Sequence, residues 1–271
     1  MPNWVINRIK FKNKDAFEAF KREYVVKKTC EGVVCDEFDF NKVIPMPESL
    51  DIEENTTKDD GIILAVAQML EDRVPGAAET AATVGKRMIA EHPWASVAPG
   101  RLPEKGLLNV EFFLTPDLKL KQAVVEHIRG RYKDPAELRR AIELGKKAIQ
   151  NILDHGYSSW YHWAYANWDT KWGASEYRED PDSLEVWFET AWSCPVPIIQ
   201  RIVALTGIQA FEEIEWADES IGYNCGRFEL MLHLDGTGFD QDWVEPAWLE
   251  EGSEEAKLFA KRLWGYEDPD A

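Results

Sequence analysis

The chain has 271 residues, 45% of them hydrophobic and 12% aromatic, and this composition excludes wholesale disorder and allows a core that needs no disulfides. Its cysteines are too few for a disulfide framework at this length, and we predict reduced thiols at Cys30, Cys35, Cys194 and Cys225. The sequence contains no apolar run of about 18 residues and no signal-peptide core, so we expect a soluble, cytoplasmic protein without a membrane span.

The formal net charge of −18 lies almost wholly in the last third of the chain. Residues 1–175 carry 25 Lys and Arg against 26 Asp and Glu, whereas residues 176–271 carry 6 against 23. Phosphate binding requires a cationic surface, so this distribution argues against direct binding of nucleic acid. An acidic surface can engage a basic protein, but it can equally serve solubility alone.

The N-terminal segment NWVINRIKF alternates and is rich in β-branched and aromatic residues, which predicts a strand. Aromatic residues at i, i+3 and i+7 then predict a helix that begins near Asn13 or Asp15. A short extended piece follows and is broken by Pro45 and Pro47.

Residues 55–156 predict a block of helices that is nearly neutral in charge. The last of them has Asp134 as its N-cap, Pro135 at its first position and Gly156 just past its end. The helices are predicted in the segments DDGIILAVAQMLEDRV, AAETAATVGKRMIAEH, PDLKLKQAVVEHIRGRY and DPAELRRAIELGKKAIQNILDHG.

After Gly156 the pattern changes to strands. The segments YHWAYANWDTKWGAS and LEVWFETAWSC alternate with a period of two around the polar segment EYREDPDS, which predicts a hairpin. A short helix in PVPIIQRIVALTG and two further strands in FEEIEWADES and GRFELMLHLDG follow.

The predicted elements have the order β-α, a helical insertion, then β-β-α-β-β. Without the insertion and one extra strand this is βαββαβ, so the predicted fold is α+β: a ferredoxin-like (split βαβ) antiparallel sheet with a large helical insertion. We predict a discontinuous sheet domain at residues 1–54 and 157–235, the insertion at 55–156 and an acidic C-terminal extension at 236–271. In that extension, SEEAKLFAKRLWG predicts a helix that folds back on the body.

Four segments, MPNW, VIPMPESL, NWDTKW and FETAWSCPVPII, together resemble the YubB-type ferredoxin-like family, whose members are small proteins of phages and conjugative plasmids. In that family NW-x-T-K-W precedes F-x-T-A-W-S-P-P, and both patterns occur here in that order. Asp169 stands where the family usually has Gly, and Cys194 stands where the first Pro of SPP is expected. The resemblance implies the ferredoxin-like fold and a mobile-element context, and it assigns no chemistry.

A polar and aromatic face of the predicted hairpin is the candidate binding surface. On strands, alternate residues share a face, and tryptophan and tyrosine offer stacking area with a polar handle. Alternatively, the tryptophans fill the seam between sheet and helices, and Lys171 pairs with Glu185 or Glu189 across the strands. The candidate binding residues are Tyr165, Asn167, Asp169, Lys171, Glu185, Trp187 and Glu189.

Catalytic chemistry has weaker support in the sequence. Cys194 opens a predicted helix, and the N-terminus of a helix can lower the pKa of a thiol. With His162 on the neighbouring predicted strand as a base, Cys194 is a candidate nucleophile. The alternative is that Cys194 is a buried, unreactive cysteine. Neither Cys30 and Cys35 nor the histidines have metal-ligand spacing. Phosphate-loop, dinucleotide-binding, serine-hydrolase and zinc-protease motifs do not occur, so we assign no catalytic residue, metal or cofactor.

Two functions therefore stand as expectations. The first is a non-enzymatic binding protein of a phage or mobile element that sequesters or inhibits a host (defence) factor with a basic surface. The alternative is a small-molecule or nucleotide-binding protein, or an enzyme, that uses the aromatic and polar sheet face.

Overall fold

The computed structural model describes residues 2–30, 32–92, 112–234 and 240–266. The chain divides into two compact units. We call Met1–Pro45 with Ala164–Ala271 the sheet unit, and Met46–Trp163 the helical unit. The predicted boundary between residues 235 and 236 lies outside the described residues.

The strands of the described residues all lie in the sheet unit. They are β1 (Trp4–Phe11), β2 (Val25–Cys30), β3 (Val33–Phe38), β4 (Ser175–Asp180), β5 (Glu185–Ala191), β6 (Phe211–Asp218), β7 (Cys225–Leu234) and β8 (Asp240–Trp248). Six of them form one antiparallel sheet in the order β4-β5-β1-β6-β7-β8. A separate two-stranded sheet, β2-β3, was not predicted from the sequence.

The central strand β1 lies between β5 and β6 and is antiparallel to both. In the sheet, β5 lies between β1 and β4, and β1 lies between β5 and β6. This is the split βαβ arrangement. The prediction that the segment beginning at Trp4 pairs with strands from beyond Gly156 is confirmed.

Helices of the sheet unit cover parts of both faces of this sheet. On the inner face, α1 (Lys14–Tyr24) packs against β1, with the ring centroids of Phe17 and Phe11 at 5.8 Å. On the outer face, the C-terminal helix Glu254–Trp264 buries Ala256, Phe259, Ala260 and Leu263 in one cluster with Ile6, Ala217 and Cys225. A helix in this segment was predicted, and the Ser253 side chain caps it by accepting a hydrogen bond from the Ala256 amide.

The helical unit contains α2 (Thr56–Glu71), α3 (Ala77–Glu91), α4 (Leu118–Arg131) and α5 (Pro135–His155) around one apolar core. The predicted ends of α5 are confirmed, because Asp134 accepts from the Ala136 amide and Gly156 has φ of 78°. A Cβ placed on Gly61 of α2 would lie 1.9 Å from the Ala141 carbonyl oxygen of α5, so the two backbones touch there. Among the described residues, none of the helices is long and apolar enough to cross a membrane.

The predicted strand at the start of the tryptophan-rich segment is wrong. Residues Trp160–Trp168 form a helix, α6, in which Trp163, Ala164 and Trp168 are buried. Aromatic side chains at nearly every position hide the helical period, because they satisfy a two-residue and a 3.6-residue pattern alike.

The predicted hairpin exists, but its first strand lies later in the chain than expected. The polar segment read as a turn, EYRED, is part of β4, which pairs with β5. β4 ends the described sheet, and edge strands commonly carry charged side chains that prevent further pairing. A short helix follows β5, α7 (Val196–Thr206), as predicted, and we number the C-terminal helix α8 (Glu254–Trp264).

Candidate functional site: the tryptophan corner

The two family-like motifs meet at one end of the sheet, in the loop after α6 and the loop after β5. The Thr170 hydroxyl donates to the Ala191 carbonyl at 2.8 Å, and the Ser193 hydroxyl donates to the Asp169 carbonyl. Thr190 Oγ1 donates to the Ser193 carbonyl at 2.7 Å and closes the second loop. Threonine and serine of the two motifs therefore fix one loop against the other.

Both loops contain a residue in the left-handed region of backbone conformation. Asp169 has φ of 61° and Trp192 has φ of 75°. The first position suits glycine, and aspartate tolerates it better than most residues. A tryptophan at positive φ costs on the order of 1–3 kcal/mol and persists only where neighbours hold it. Here the Trp192 amide donates to the Asn3 carbonyl at 2.9 Å, and Asn224 Nδ2 donates to the Trp192 carbonyl at 3.2 Å.

These loops present large aromatic side chains to solvent. Trp172 is 39% exposed and Trp192 is 47% exposed. The Trp172 ring packs against Trp4, with centroids 6.4 Å apart and planes at 33°, and the Lys171 ammonium lies 4.3 Å from the Trp172 centroid. We call Trp4, Trp172 and Trp192, with the loop residues Asp169, Lys171 and Ser193, the tryptophan corner.

Burial sets the electrostatics of the corner. Burial raises the pKa of Asp169, which lies in the loop beside Lys171. Burial, and then the nearby Asp169 charge, raise the pKa of the Cys194 thiol well above its ordinary value. Cys194 is buried and stays protonated, so it lacks the exposed thiolate that a nucleophile requires. The imagined pairing with His162 on a neighbouring strand is also wrong, since His162 lies on α6.

The structure separates the predicted binding residues into three groups. Tyr165 and Asn167 lie on α6, and Asp169 and Lys171 lie in the loop that follows. They do not share a strand face, because the segment begins as a helix. The remaining three alternate with buried residues on β5, as predicted, and are Glu185, Trp187 and Glu189.

The β5 group belongs to an ionic network on the outer face of the sheet. Arg8 of β1 lies 2.8 Å from Glu215 and 3.5 Å from Glu185. Its guanidinium is 5.6 Å from the centroid of Trp187, and that of Arg178 is 5.4 Å from the same ring. Two arginines thus already contact the ring of Trp187, one of the candidate binding residues.

The helical unit holds a buried ionic network that sequence reasoning missed. Lys58 is fully buried, and its ammonium lies 2.7 Å from Glu54 Oε2 and 2.8 Å from Ser158 Oγ. The Ser158 hydroxyl donates to Glu91 Oε2 at 2.7 Å. Burial alone would lower the pKa of Lys58, but the carboxylates of Asp59 and Glu54 outweigh it and raise that pKa.

This arrangement does not activate a nucleophile. A protonated lysine cannot serve as the base for the Ser158 hydroxyl, and both side chains are closed to solvent. The residues of this network lie far apart in the sequence, between Glu54 and Ser158, and no local motif marks them. We therefore interpret the network as structural.

Part of the chain matches a known family model. Residues 167–257 match the model of a ferredoxin-like domain in Api92-like proteins. The match begins at Asn167, so it includes the loops of the tryptophan corner and the strands β4 to β8, and the fold of this part is ferredoxin-like. No curated protein and no solved structure matches the chain.

Proposed function

We propose that this chain is a non-enzymatic binding protein that engages a basic protein surface through the tryptophan corner. The YubB-type resemblance extends the proposal to a phage or plasmid accessory protein that occupies a host defence factor. The observation that carries the proposal is the exposure of Trp172 and Trp192 on two loops that hydrogen bonds fix to each other.

Exposed tryptophans on fixed loops are well suited to protein recognition. Tryptophan is enriched among the residues that dominate binding energy, because it buries a large area and loses little conformational entropy. Loops that are already ordered reduce the entropy cost of association. Retaining Trp192 at positive φ is costly for the free protein, and such strain concentrates at functional sites.

The charge of the chain supports a basic partner. Residues 176–271, which form most of the sheet unit, carry a net charge of −17. Acidic surfaces attract basic ones at long range and accelerate their encounter. An anionic ligand such as a nucleic acid would be repelled by the same field.

Binding is favoured over catalysis by the state of the possible reactive groups. The Cys194 thiol is buried and protonated, and the Ser193 hydroxyl is engaged with the Asp169 carbonyl. The alternative of a nucleotide-like ligand on the outer sheet face gains less support, since Arg8 and Arg178 already contact the ring of Trp187.

The test is affinity capture from a host lysate at about 0.05 M salt and again at about 0.5 M salt. We expect the native chain to retain a basic protein at the lower salt, and the double variant Trp172→Ala, Trp192→Ala to lose it. The variant Trp248→Ala is the matched control, since this tryptophan is 61% exposed on β8. Retention by the native chain and the control, together with its loss in the double variant, supports the proposal.

Two results would contradict the proposal. In the first, no protein is retained even at low salt. In the second, the double variant retains the same protein as strongly as the control does. Circular dichroism of each variant, compared with the native chain, shows whether lost binding reflects a lost fold.

A further inference from the structure

We infer that the Trp172 ring is a receptor for a cationic side chain of the partner, with arginine preferred, and that Lys171 occupies this place in the free protein. The inference rests on the proposed function, since it names the chemistry that the tryptophan corner recognises. Its central observation is the Lys171 ammonium, 4.3 Å from the Trp172 ring centroid.

The geometry shows that this ring face accepts a cation. Attraction between a cation and an aromatic ring is appreciable within about 6 Å of the centroid, and tryptophan gives the strongest case. Trp4 packs beside Trp172 and limits the freedom of its ring. Since Trp172 is 39% exposed, part of the aromatic surface is open to a partner.

Asp169 adds a negative charge to the same loop. Burial raises the pKa of its carboxyl. Arginine suits such a ring better than lysine, because its planar guanidinium stacks on aromatic faces and is more weakly hydrated than an ammonium.

In the free protein, Lys171 of the same chain occupies the ring of Trp172. A partner cation must displace the Lys171 ammonium from the ring before it can bind there. Removing the charge of Lys171 should therefore strengthen binding, whereas a lysine that contacted the partner directly would weaken it when removed. The direction of the change in affinity therefore distinguishes a lysine that blocks the ring from a lysine that contacts the partner.

The probe is a fluorescent arginine-rich peptide, with a second peptide in which citrulline replaces each arginine. Fluorescence anisotropy measures binding to the full chain. We expect binding of the arginine peptide only, a loss of about ten-fold in affinity for Trp172→Ala, and a gain of about two- to five-fold for Lys171→Met.

Lys146→Met is the matched control for the change in net charge. Lys146 lies on α5 in the helical unit, is 52% exposed in its side chain, and pairs with Glu143 at 2.8 Å. The Lys146→Met variant loses one positive charge, as Lys171→Met does, but at a position outside the tryptophan corner. We therefore expect this variant to bind the peptide with the same affinity as the native chain. A gain seen in Lys171→Met but not in Lys146→Met supports the inference.

Equal gains in the two lysine variants, or a loss in Lys171→Met, would overturn the role of Lys171. Equal binding of the citrulline peptide, or no binding of either peptide, would overturn the recognition of a cation. Each of these results is distinguishable from failure of the proposed function, because capture of a host protein that depends on Trp172 and Trp192 can still succeed. If capture fails as well, both proposals fall.

Discussion

At the scale of single residues, the helical unit contains a buried carboxylate with both a charged and a neutral partner. Glu91 is buried, accepts hydrogen bonds from Ser158, and pairs with Arg87 at 2.8 Å. Burial alone would raise the pKa of Glu91, but the Lys58 charge and the Ser158 hydroxyl outweigh burial and lower that pKa. Buried charges of this kind are costly unless every partner is present.

The lowered pKa of Glu91 predicts a pH-dependent contribution to folding. A carboxyl whose pKa falls on folding stabilises the protein above its unfolded value, here 4.5, and this stabilisation is lost as pH falls through the lower folded pKa. We expect Glu91→Gln to lower the free energy of unfolding by about 2–3 kcal/mol at neutral pH, and the difference to shrink below pH 4.5. Urea unfolding followed by circular dichroism from pH 7 to pH 3 measures it.

Glu143→Gln is the control for this experiment, because Glu143 is an exposed residue of α5. Its difference from the native chain should stay within about 0.5 kcal/mol at every pH. A difference for Glu91→Gln that is the same at pH 7 and pH 3 would contradict the proposed linkage.

At the scale of elements, the crossing of α2 and α5 depends on glycine. A Cβ at Gly145 would lie 2.0 Å from the Gly61 carbonyl carbon, and a Cβ at Gly61 would meet the Ala141 carbonyl oxygen. Backbone atoms cannot move aside as the end of a flexible side chain can. The two helices can approach this closely only because both positions lack a side chain.

We expect Gly145→Ala to lower the free energy of unfolding by about 3 kcal/mol, at the upper end of overpacking effects, because the new methyl group meets backbone. Gly130→Ala is the matched control: Gly130 lies in the last turn of helix α4, and a Cβ there would have no neighbour within 4 Å. That variant should be more stable by about 0.5–1 kcal/mol, since alanine favours helix. Urea unfolding measures both changes, and equal effects of the two would refute the close approach.

Sequence patterns predicted elements where local chemistry dominates. Asp134, Pro135 and Gly156 marked the ends of α5, and the alternation of β5 gave its buried face. The pattern was uninformative in α6, where aromatic residues are nearly continuous, and misleading in β4, where an edge position favours charged residues.

The candidate site was predicted only in part for the same reason. Asp169 and Lys171 were identified, but their neighbours Trp4 and Trp192 were not, because that proximity depends on the register of β1 against β5. The ionic network of Lys58, Glu91 and Ser158 depends on tertiary packing alone. Contacts between residues so distant in sequence leave no local periodicity to read.

At the scale of the whole molecule, the sheet unit is built from two separate stretches of chain, Met1–Pro45 and Ala164–Ala271. The end of the first stretch lies beside the beginning of the second, since Trp168 Nε1 donates to the Ile44 carbonyl at 2.9 Å. The unit has its own core, and the helical unit has another. Compact units with separate cores can in principle fold alone.

We therefore expect residues 46–163 to be replaceable by a flexible linker of about eight residues without loss of the sheet unit. The shortened protein should be soluble, show the near-ultraviolet circular dichroism of packed tryptophans, and unfold cooperatively on heating. An aggregated protein, or one without fixed aromatic signals, would show that the sheet unit depends on the excised segment.

The central position of β1 has a consequence for biosynthesis. Its first partner in the sheet, β5, begins at Glu185, so this strand emerges from the ribosome long before any neighbouring strand exists. At translation rates of about 5–20 residues per second, the wait is roughly ten to forty seconds. During this interval the nascent chain exposes an unpaired strand that is prone to aggregate. Efficient production in cells should accordingly depend on chaperone supply, and on how fast the ribosome reads the middle of the message.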